Sequence, residues 1–182
     1  MDKPEDIVLR VASVRQDSAV DGPGLRLAVF AQGCPHRCPG CHNPQTHDPG
    51  GGYDTTVGAV MRMARDNPLL AGLTLTGGEP FLQAGPMAAL ARAAKEAALN
   101  VWVYSGWTFE ELLGRDDGSR ELLEACDVLA DGPYDQAQED YHALYRGSRN
   151  QRLIDLPQSL AAGRAVLWTP AEPGRLSNPR TR

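Results

Sequence analysis

Three cysteines within eight residues, Cys34, Cys38 and Cys41, are the side chains best suited to chemistry. Thiolates are soft ligands that suit an iron–sulfur cluster or zinc. A structural zinc site uses four protein ligands. The fourth would come from the remaining cysteine or from a nearby histidine: Cys126, His36, His42 or His47. A [4Fe–4S] cluster held by only three cysteines would leave one iron open to another molecule, so the spacing favours a cluster over zinc.

The elements that must position these cysteines alternate between strand and helix. Residues 33–52, here called the cluster loop, are too rich in Pro, Gly, Cys and His for regular structure. Strands are predicted at residues 7–11, 25–31, 73–76, 101–104 and 128–130, with weaker patterns at 151–156 and 166–168. Helices are predicted from a Thr56 cap to about residue 67, at 86–98, after a Thr108–Glu111 capping box, and at 120–125.

This alternation predicts an α/β fold built on a parallel sheet. Polar or breaker-rich segments follow the strands that end near Ala31, Thr76, Tyr104 and Ala130. Because the carboxyl ends of parallel strands share one edge of a sheet, we expect these segments to form one site there. Asp131 either lines that site or caps an Asp-Gly-Pro turn, and the sequence favours neither interpretation.

The cysteine motif and the segment Thr76–Pro80 together resemble the radical S-adenosylmethionine superfamily. The resemblance implies a compact partial (β/α) barrel with the cluster loop at the carboxyl edge of its sheet. It also implies a [4Fe–4S] cluster bound by Cys34, Cys38 and Cys41. The fourth iron of that cluster would bind the methionine moiety of S-adenosylmethionine.

The same resemblance implies that Gly77, Gly78 and Glu79 bind the methionine amino group. Glycines permit close approach of the backbone, and a carboxylate attracts an ammonium group. The sequence departs from the common superfamily pattern at Gly40, where an aromatic residue usually lies near the adenine. We expect His42 to supply a planar surface in its place, and Tyr104 and Asp131 to complete the cofactor site.

Within the superfamily, residues 14–156 resemble the glycyl-radical enzyme activases of anaerobic ribonucleoside-triphosphate reductase. The matching segments are 21–26, 32–44, 101–107, 127–134 and 146–152. This resemblance implies cleavage of S-adenosylmethionine to a 5′-deoxyadenosyl radical, which abstracts hydrogen from a glycine of the reductase. It further implies a low-potential electron donor such as flavodoxin or ferredoxin, and it requires no side chain to act as a general acid or base.

Two other functions remain open from the sequence. The chain could be a radical enzyme for a small molecule or peptide in a biosynthetic pathway, because a cofactor site does not fix its substrate. It could also be a non-catalytic metal-binding or electron-transfer module. Four polar residues are candidates for contacting a carboxylate or a partner protein: Arg146, Arg149, Asn150 and Arg152. Cys126 is expected to be a buried free thiol.

The composition suits one globular domain at residues 1–169, with a disordered tail expected at 170–182. The 182 residues are 42% hydrophobic, and the net charge of -5 gives no electrostatic reason to bind nucleic acid. No run of apolar residues approaches the roughly 20 needed to span a membrane. Residues 1–6 are acidic, unlike a signal peptide. We therefore expect a cytoplasmic protein without membrane or nucleic-acid partners.

Overall fold

A computed structural model describes residues 3–170 of the chain. Its helices and strands alternate as the α/β prediction requires. The strands are β1 (Val8–Ser18), β2 (Arg26–Ala31), β3 (Tyr53–Thr56), β4 (Gly72–Gly77), β5 (Asn100–Tyr104), β6 (Val128–Asp131) and β7 (Arg152–Asp155). The helices are α1 (Val57–Asp66), α2 (Ala84–Glu96), α3 (Phe109–Leu113), α4 (Ser119–Ala125) and α5 (Leu156–Ala162).

The seven strands form one sheet in the order β3-β1-β2-β4-β5-β6-β7. The central strands β2, β4, β5 and β6 are parallel, as predicted. The outer pairs are antiparallel, so the prediction of a parallel sheet is wrong for β1, β3 and β7. A short turn joins β1 to β2, and short connections favour antiparallel neighbours. The described strands β3 and β7 lie at opposite edges, so the sheet is open, consistent with a partial barrel.

The central strands are buried on both faces. Leu73, Leu75 and Val101 belong to the main core, which lies between the sheet and the helices. Trp102 belongs to a second, smaller cluster with Val128, Ala130 and Leu153. Because successive residues of a strand face opposite sides, this second cluster covers the face of the sheet that is opposite the described helices.

Local capping explains several helix boundaries. The Thr56 hydroxyl accepts a hydrogen bond from the amide of Ala59 at 3.2 Å, and both hydrogen bonds of the predicted Thr108–Glu111 capping box are present. The strand β3 and the helix α5 were not predicted from the sequence, although the Asp155 carboxylate caps α5 by accepting from the amide of Gln158 at 2.9 Å. The weak strand pattern at 166–168 forms only an isolated bridge.

The predicted domain boundary falls at the end of the described residues. Of the tail expected at 170–182, only Pro170 lies within them. Among residues 3–170, every helix is too short or too polar to cross a membrane. Cys126 is buried as expected and lies just before β6. It therefore lies at the amino edge of the parallel strands, on the opposite side of the sheet from the cluster loop.

Candidate active site

The carboxyl ends of the four parallel strands open into one cavity of about 510 Å³. This arrangement confirms the prediction that the segments after these strands lie together. The cavity is lined by three cysteines of the cluster loop and by residues at or just after the ends of β4, β5 and β6, including Cys34, Cys38, Cys41, Gly77, Gly78, Tyr104, Gly132 and Tyr134.

The cluster loop is held by its own backbone. The amide of Gly33 donates to the carbonyl of Thr46 at 2.7 Å, and the amide of Cys34 donates to the carbonyl of His47 at 3.2 Å. These hydrogen bonds bring the end of the loop back to its beginning. All three cysteines of the loop are partly exposed. Burial raises the pKa of the Cys34 thiol, so a bound metal must displace its proton.

Gly77 and Gly78 are required where β4 meets the start of the cluster loop. Gly77 has a φ of +93°, and a Cβ at this position would lie 2.6 Å from the Cα of Phe30. A Cβ at Gly78 would lie 2.4 Å from the carbonyl oxygen of Gly33. The amide of Glu79 donates to that same carbonyl at 2.8 Å. The two glycines therefore permit close packing of the chain on itself as well as lining the cavity.

Glu79 is fully buried behind the cavity wall. One carboxylate oxygen accepts from the Nε2 of His36 at 2.8 Å, the hydroxyl of Ser105 at 3.1 Å and the amide of Gly106 at 2.9 Å. The other accepts from the amide of Phe81 at 3.1 Å. The carboxylate that was predicted to attract an ammonium group is thus surrounded by four donors of its own chain.

Asp131 is buried in the same manner. Its carboxylate accepts from the amide of Phe109, at the start of α3, at 2.8 Å, and from the Nε of Arg152 at 3.0 Å. Arg152 also donates to the Glu110 carboxylate at 2.6 Å. Of the two contacts considered for Arg152, a carboxylate or a partner protein, the structure shows the first, because its guanidinium pairs with Asp131 and Glu110. Asp131 fixes the end of β6 and does not line the cavity.

Tyr104 and Arg146 lie on the cavity surface. The Tyr104 hydroxyl donates to the carbonyl of Tyr145 at 2.7 Å, and burial raises its pKa. Arg146 donates from Nη1 to the carbonyl of Gln151 at 3.1 Å, while its buried Nε has no hydrogen-bond partner. The other two polar candidates, Arg149 and Asn150, are exposed. Of these four candidates, only Arg146 lines the cavity.

Comparison with known proteins identifies the family. Residues 20–154 match the family model described as a 4Fe-4S single cluster domain. The anaerobic ribonucleoside-triphosphate reductase-activating protein of Vibrio cholerae is 36% identical over 140 residues, which cover 72% of this chain and 88% of that protein. The protein of the same name from Enterobacteria phage T4 is 33% identical over 141 residues, covering 74% and 86%. This chain belongs to the anaerobic ribonucleoside-triphosphate reductase-activating protein family.

Other glycyl-radical activating enzymes are also similar to this family member. The pyruvate formate-lyase 1-activating enzyme of Escherichia coli is 31% identical over 168 residues, covering 89% of this chain and 66% of that enzyme. The crystal structure of QueE from Escherichia coli overlays on 58% of this chain and 56% of its own, with 13% identity and a TM-score of 0.48. That score is too low to support an argument about the fold.

As a member of this radical S-adenosylmethionine family, the chain is an enzyme that uses a [4Fe–4S] cluster and S-adenosylmethionine. The donor set fits this cluster. Cys34, Cys38 and Cys41 line one cavity, whereas Cys126 lies at the far edge of the sheet. Within residues 3–170, no three Cys, His, Asp or Glu side chains are placed to hold a single metal ion. The match to a 4Fe-4S single cluster domain favours the cluster over zinc.

The structure explains why this family member has glycine rather than an aromatic residue before its third cysteine. Gly40 has a φ of +73°, and a Cβ there would lie 2.7 Å from the Cδ of Gln136. The positive φ strains any larger residue here, and the exposed Gln136 side chain would have to move aside. His42 lies on the cavity surface as predicted, with its ring centroid 4.9 Å from that of Tyr134 and its Nε2 3.2 Å from the Glu139 carboxylate.

His36 and Ser105 are site residues that the sequence analysis missed, because it considered His36 only as a zinc ligand. The His36 ring packs edge-on against Trp107, with 4.5 Å between centroids. A Cβ at Gly106 would lie 2.4 Å from the His36 ring, so glycine is needed for this approach. Two sequence features could have indicated these site residues: a histidine between two cysteines, and a pair of small residues directly after β5.

Proposed function

We propose that this enzyme reductively cleaves S-adenosylmethionine with its cluster on Cys34, Cys38 and Cys41, and that the 5′-deoxyadenosyl radical generates a glycyl radical on anaerobic ribonucleoside-triphosphate reductase. The observation that carries the proposal is that the three cysteines and the Gly77-Gly78 segment share one open cavity in a chain of this family. We also propose a cytoplasmic location and a low-potential electron donor such as flavodoxin or ferredoxin.

A bound cluster would supply one electron to the sulfonium of S-adenosylmethionine, whose C–S bond would break to give methionine and the 5′-deoxyadenosyl radical. The residues of the chain bind and orient the reactants. The three thiolates would hold iron, and Gly77 and Gly78, which line the same cavity, would let an ammonium group approach the backbone closely. His42 and Tyr104 lie on the same cavity surface, where they are suited to contact the adenosine.

Glu79 has a positioning role in this proposal. Its carboxylate connects His36 of the cluster loop to Ser105 and Gly106 at the end of β5. A buried carboxylate is stable only when hydrogen bonds replace its lost hydration, so these contacts fix the loop relative to the sheet. Asp131 fixes the end of β6 in a similar way through Arg152. Together they hold the cysteines and the strand ends in a constant arrangement.

The hydrogen transfer needs no proton carrier from the chain. The radical takes a hydrogen atom from the glycine Cα, which gives 5′-deoxyadenosine and leaves the unpaired electron on the glycine. The contribution of the protein is to orient the reacting atoms and to exclude water and oxygen. A cavity open to the surface is compatible with a substrate that is part of another protein.

Anaerobic reconstitution followed by reduction in the presence of S-adenosylmethionine tests the first half of the proposal. We expect 5′-deoxyadenosine from the wild-type protein and none from the Cys38→Ala variant. A cluster-loaded wild-type protein that forms no 5′-deoxyadenosine would contradict the proposal and favour an electron-transfer module.

Adding the anaerobic ribonucleoside-triphosphate reductase of the same organism tests the second half. We expect a glycyl radical signal by electron paramagnetic resonance that depends on S-adenosylmethionine and on reduction. Cofactor cleavage without this signal would show that the radical acts on another substrate, such as a small molecule or a different peptide.

A further inference from the structure

An aromatic cluster of Trp102, Tyr145 and Trp168 lies on the face of the sheet opposite the described helices, next to the cavity. Two of the three tryptophans of the chain belong to it. Trp102 is buried, and Trp168 is partly exposed. Tyr145 packs against the same cluster and also lines the cavity. The aromatic cluster therefore reaches from the cavity wall to the protein surface.

Ring contacts and backbone hydrogen bonds hold the aromatic cluster together. The Trp102 ring packs edge-on against Tyr145 and Trp168, with centroid distances of 5.3 and 5.0 Å, and these two rings lie 6.4 Å apart. The Tyr145 carbonyl accepts from the Tyr104 hydroxyl at 2.7 Å. The Trp168 amide donates to the carbonyl of Leu153 at 2.8 Å. Because the rings are in contact and fixed, an electron can cross the cluster in short steps.

Tyrosine and tryptophan suit radical transfer, because each can lose one electron and one proton and then be restored by a reductant. An aliphatic C–H bond broken by a radical instead leaves a reactive carbon centre. An active site must suppress such side reactions of its intermediates. The C–H bond that a 5′-deoxyadenosyl radical forms is stronger than a phenolic O–H bond. Such a radical can therefore take a hydrogen atom from a tyrosine of the cavity wall when no glycine is within reach.

We infer that Tyr145, Trp102 and Trp168 form a discharge route, which removes the radical from the cavity when S-adenosylmethionine is cleaved without a target glycine. The inference rests on the proposed function as the source of the radical. It assigns the chain a second activity, the disposal of its own radical at the expense of a thiol. This activity limits oxidation to side chains that the thiol restores.

The electron and proton transfers of the route balance. The 5′-deoxyadenosyl radical takes the hydroxyl hydrogen of Tyr145, which gives 5′-deoxyadenosine and a phenoxyl radical. An electron moves from Trp168 to Tyr145, directly or through Trp102, while the phenolate oxygen takes a proton from water and the oxidised indole releases its N–H proton to water. A thiol in solution then donates a hydrogen atom to the Trp168 radical. Tryptophan is restored, and two thiyl radicals combine to a disulfide.

Pulse radiolysis tests the route without any cofactor. Azide radicals oxidise tryptophan in preference to tyrosine at neutral pH, so they load the route from its outer end. In the full wild-type chain we expect tryptophanyl absorbance to decay into phenoxyl absorbance at a rate independent of protein concentration. Trp168→Phe and Tyr145→Phe should each lose most of this intramolecular phase. Trp107→Phe is the matched control and should retain it, because Trp107 is also partly exposed but packs against His36 and Arg115.

Thermal unfolding of each variant is compared with that of wild type, so that misfolding is recognised. Equal rates and yields of phenoxyl formation in wild type and Trp168→Phe would overturn the inference. Loss of the phase in Trp107→Phe but not in Trp168→Phe would overturn it as well, since the electron would then cross a different part of the protein.

The reconstituted enzyme tests the discharge itself. After reduction with S-adenosylmethionine, without reductase or thiol, freeze-quenched wild type should show a phenoxyl radical whose electron paramagnetic resonance signal changes with ring-deuterated tyrosine. Tyr145→Phe should lose this signal, and added thiol should remove it faster from wild type than from Trp168→Phe. Formation of 5′-deoxyadenosine without a phenoxyl signal in wild type, or an equal signal in Tyr145→Phe, contradicts the inference.

The two proposals fail in different ways. If Trp168→Phe loses the intramolecular phase but the reduced enzyme forms no 5′-deoxyadenosine, the route stands and the proposed function is wrong. If a glycyl radical forms on the reductase but the variants transfer electrons as wild type does, the proposed function stands and the discharge route is wrong.

Discussion

The two sides of the cavity differ in which side chains are buried and which are exposed. Behind the strand ends, Glu79 and Asp131 are fully buried carboxylates whose partners all belong to the chain. On the rim, Tyr141 and Leu144 are apolar groups left in water. A buried carboxylate holds its surroundings in place because losing a partner is costly, whereas an exposed apolar group gains free energy only by association. The buried carboxylates therefore hold the cluster loop and the strand ends in place, whereas the apolar side chains of residues 141 and 144 remain exposed.

The largest expected effect is loss of the cluster after removal of a cluster-loop cysteine. Cys38→Ala removes one of three cavity thiolates and should abolish the iron-dependent absorbance of reconstituted protein. Cys126→Ala should retain the cluster, because Cys126 is buried at the opposite edge of the sheet. Iron and sulfide analysis measures both variants, and equal loss of iron from Cys126→Ala would show that the three-cysteine assignment is wrong.

Removal of Arg152 should destabilise the fold. Arg152→Met leaves the buried Asp131 carboxylate with the Phe109 amide but without its cation. Because the Arg152 side chain is 35% exposed, loss of this charge-assisted contact should cost about 1.5–3 kcal/mol, which lowers Tm by roughly 3–12 °C for a chain of this size. Arg149→Met is the control, because Arg149 is exposed. A Tm equal to that of wild type in Arg152→Met would show that Asp131 does not need the pair.

The contact between Glu79 and His36 can be isolated by paired variants. Glu79→Gln weakens charge-assisted hydrogen bonds and should lower the free energy of unfolding by about 1.5–3 kcal/mol. It should also weaken S-adenosylmethionine binding, because the cluster loop loses its connection to β5. His36→Gln keeps an N–H donor and should resemble wild type, whereas His36→Phe should resemble Glu79→Gln.

A double-mutant cycle of Glu79→Gln and His36→Phe separates this contact from the other hydrogen bonds of Glu79. We expect a coupling energy on the order of 1 kcal/mol from denaturant unfolding. Additive effects of the two changes would show that the 2.8 Å contact does not carry the positioning role.

A smaller effect is expected where the cluster loop contacts Gln136. Gly40→Ala should cost about 1–2 kcal/mol, because the residue has a positive φ and its Cβ would meet the Gln136 side chain. Gly163→Ala shares a positive φ, but nothing lies within 4 Å of its Cβ. Both variants carry the cost of a positive φ, so a larger loss of stability in Gly40→Ala would report the contact with Gln136. Identical losses would show that Gln136 moves away freely.

The smallest effect should appear at low pH. The hydrogen bond from Arg152 holds the pKa of Glu110 below its ordinary value. The stabilisation is therefore complete above the unfolded pKa of about 4.3 and is lost as the pH falls through the lower folded pKa. Because Glu110 is exposed, we expect at most about 1 kcal/mol. The difference in Tm between wild type and Glu110→Gln should shrink from pH 7 to pH 3, and a constant difference would exclude the linkage.

The sequence predicted those features that depend on residues close together in the chain. The cysteine spacing, the Gly77-Gly78 segment and the caps at Thr56 and Thr108 are local patterns, and the structure has the expected cavity and helix starts. The gathering of strand ends was also predictable, because alternating strands and helices dictate parallel pairing of the central strands. These predictions needed no knowledge of which distant side chains meet.

The tertiary structure alone decided which charged groups are buried and what they contact. His36 and Glu79 are 43 residues apart, and Asp131 and Arg152 are 21 apart. Arg26 begins β2 and is fully buried, donating to the Thr74 hydroxyl at 2.6 Å. A sequence pattern shows that such a residue can ionise. Only the folded chain determines whether the charged group stays in contact with water or exchanges its hydration for a distant hydrogen-bond partner. The sequence therefore predicted that Glu79 contacts a ligand, whereas in the structure its carboxylate accepts hydrogen bonds from four donors of the protein itself.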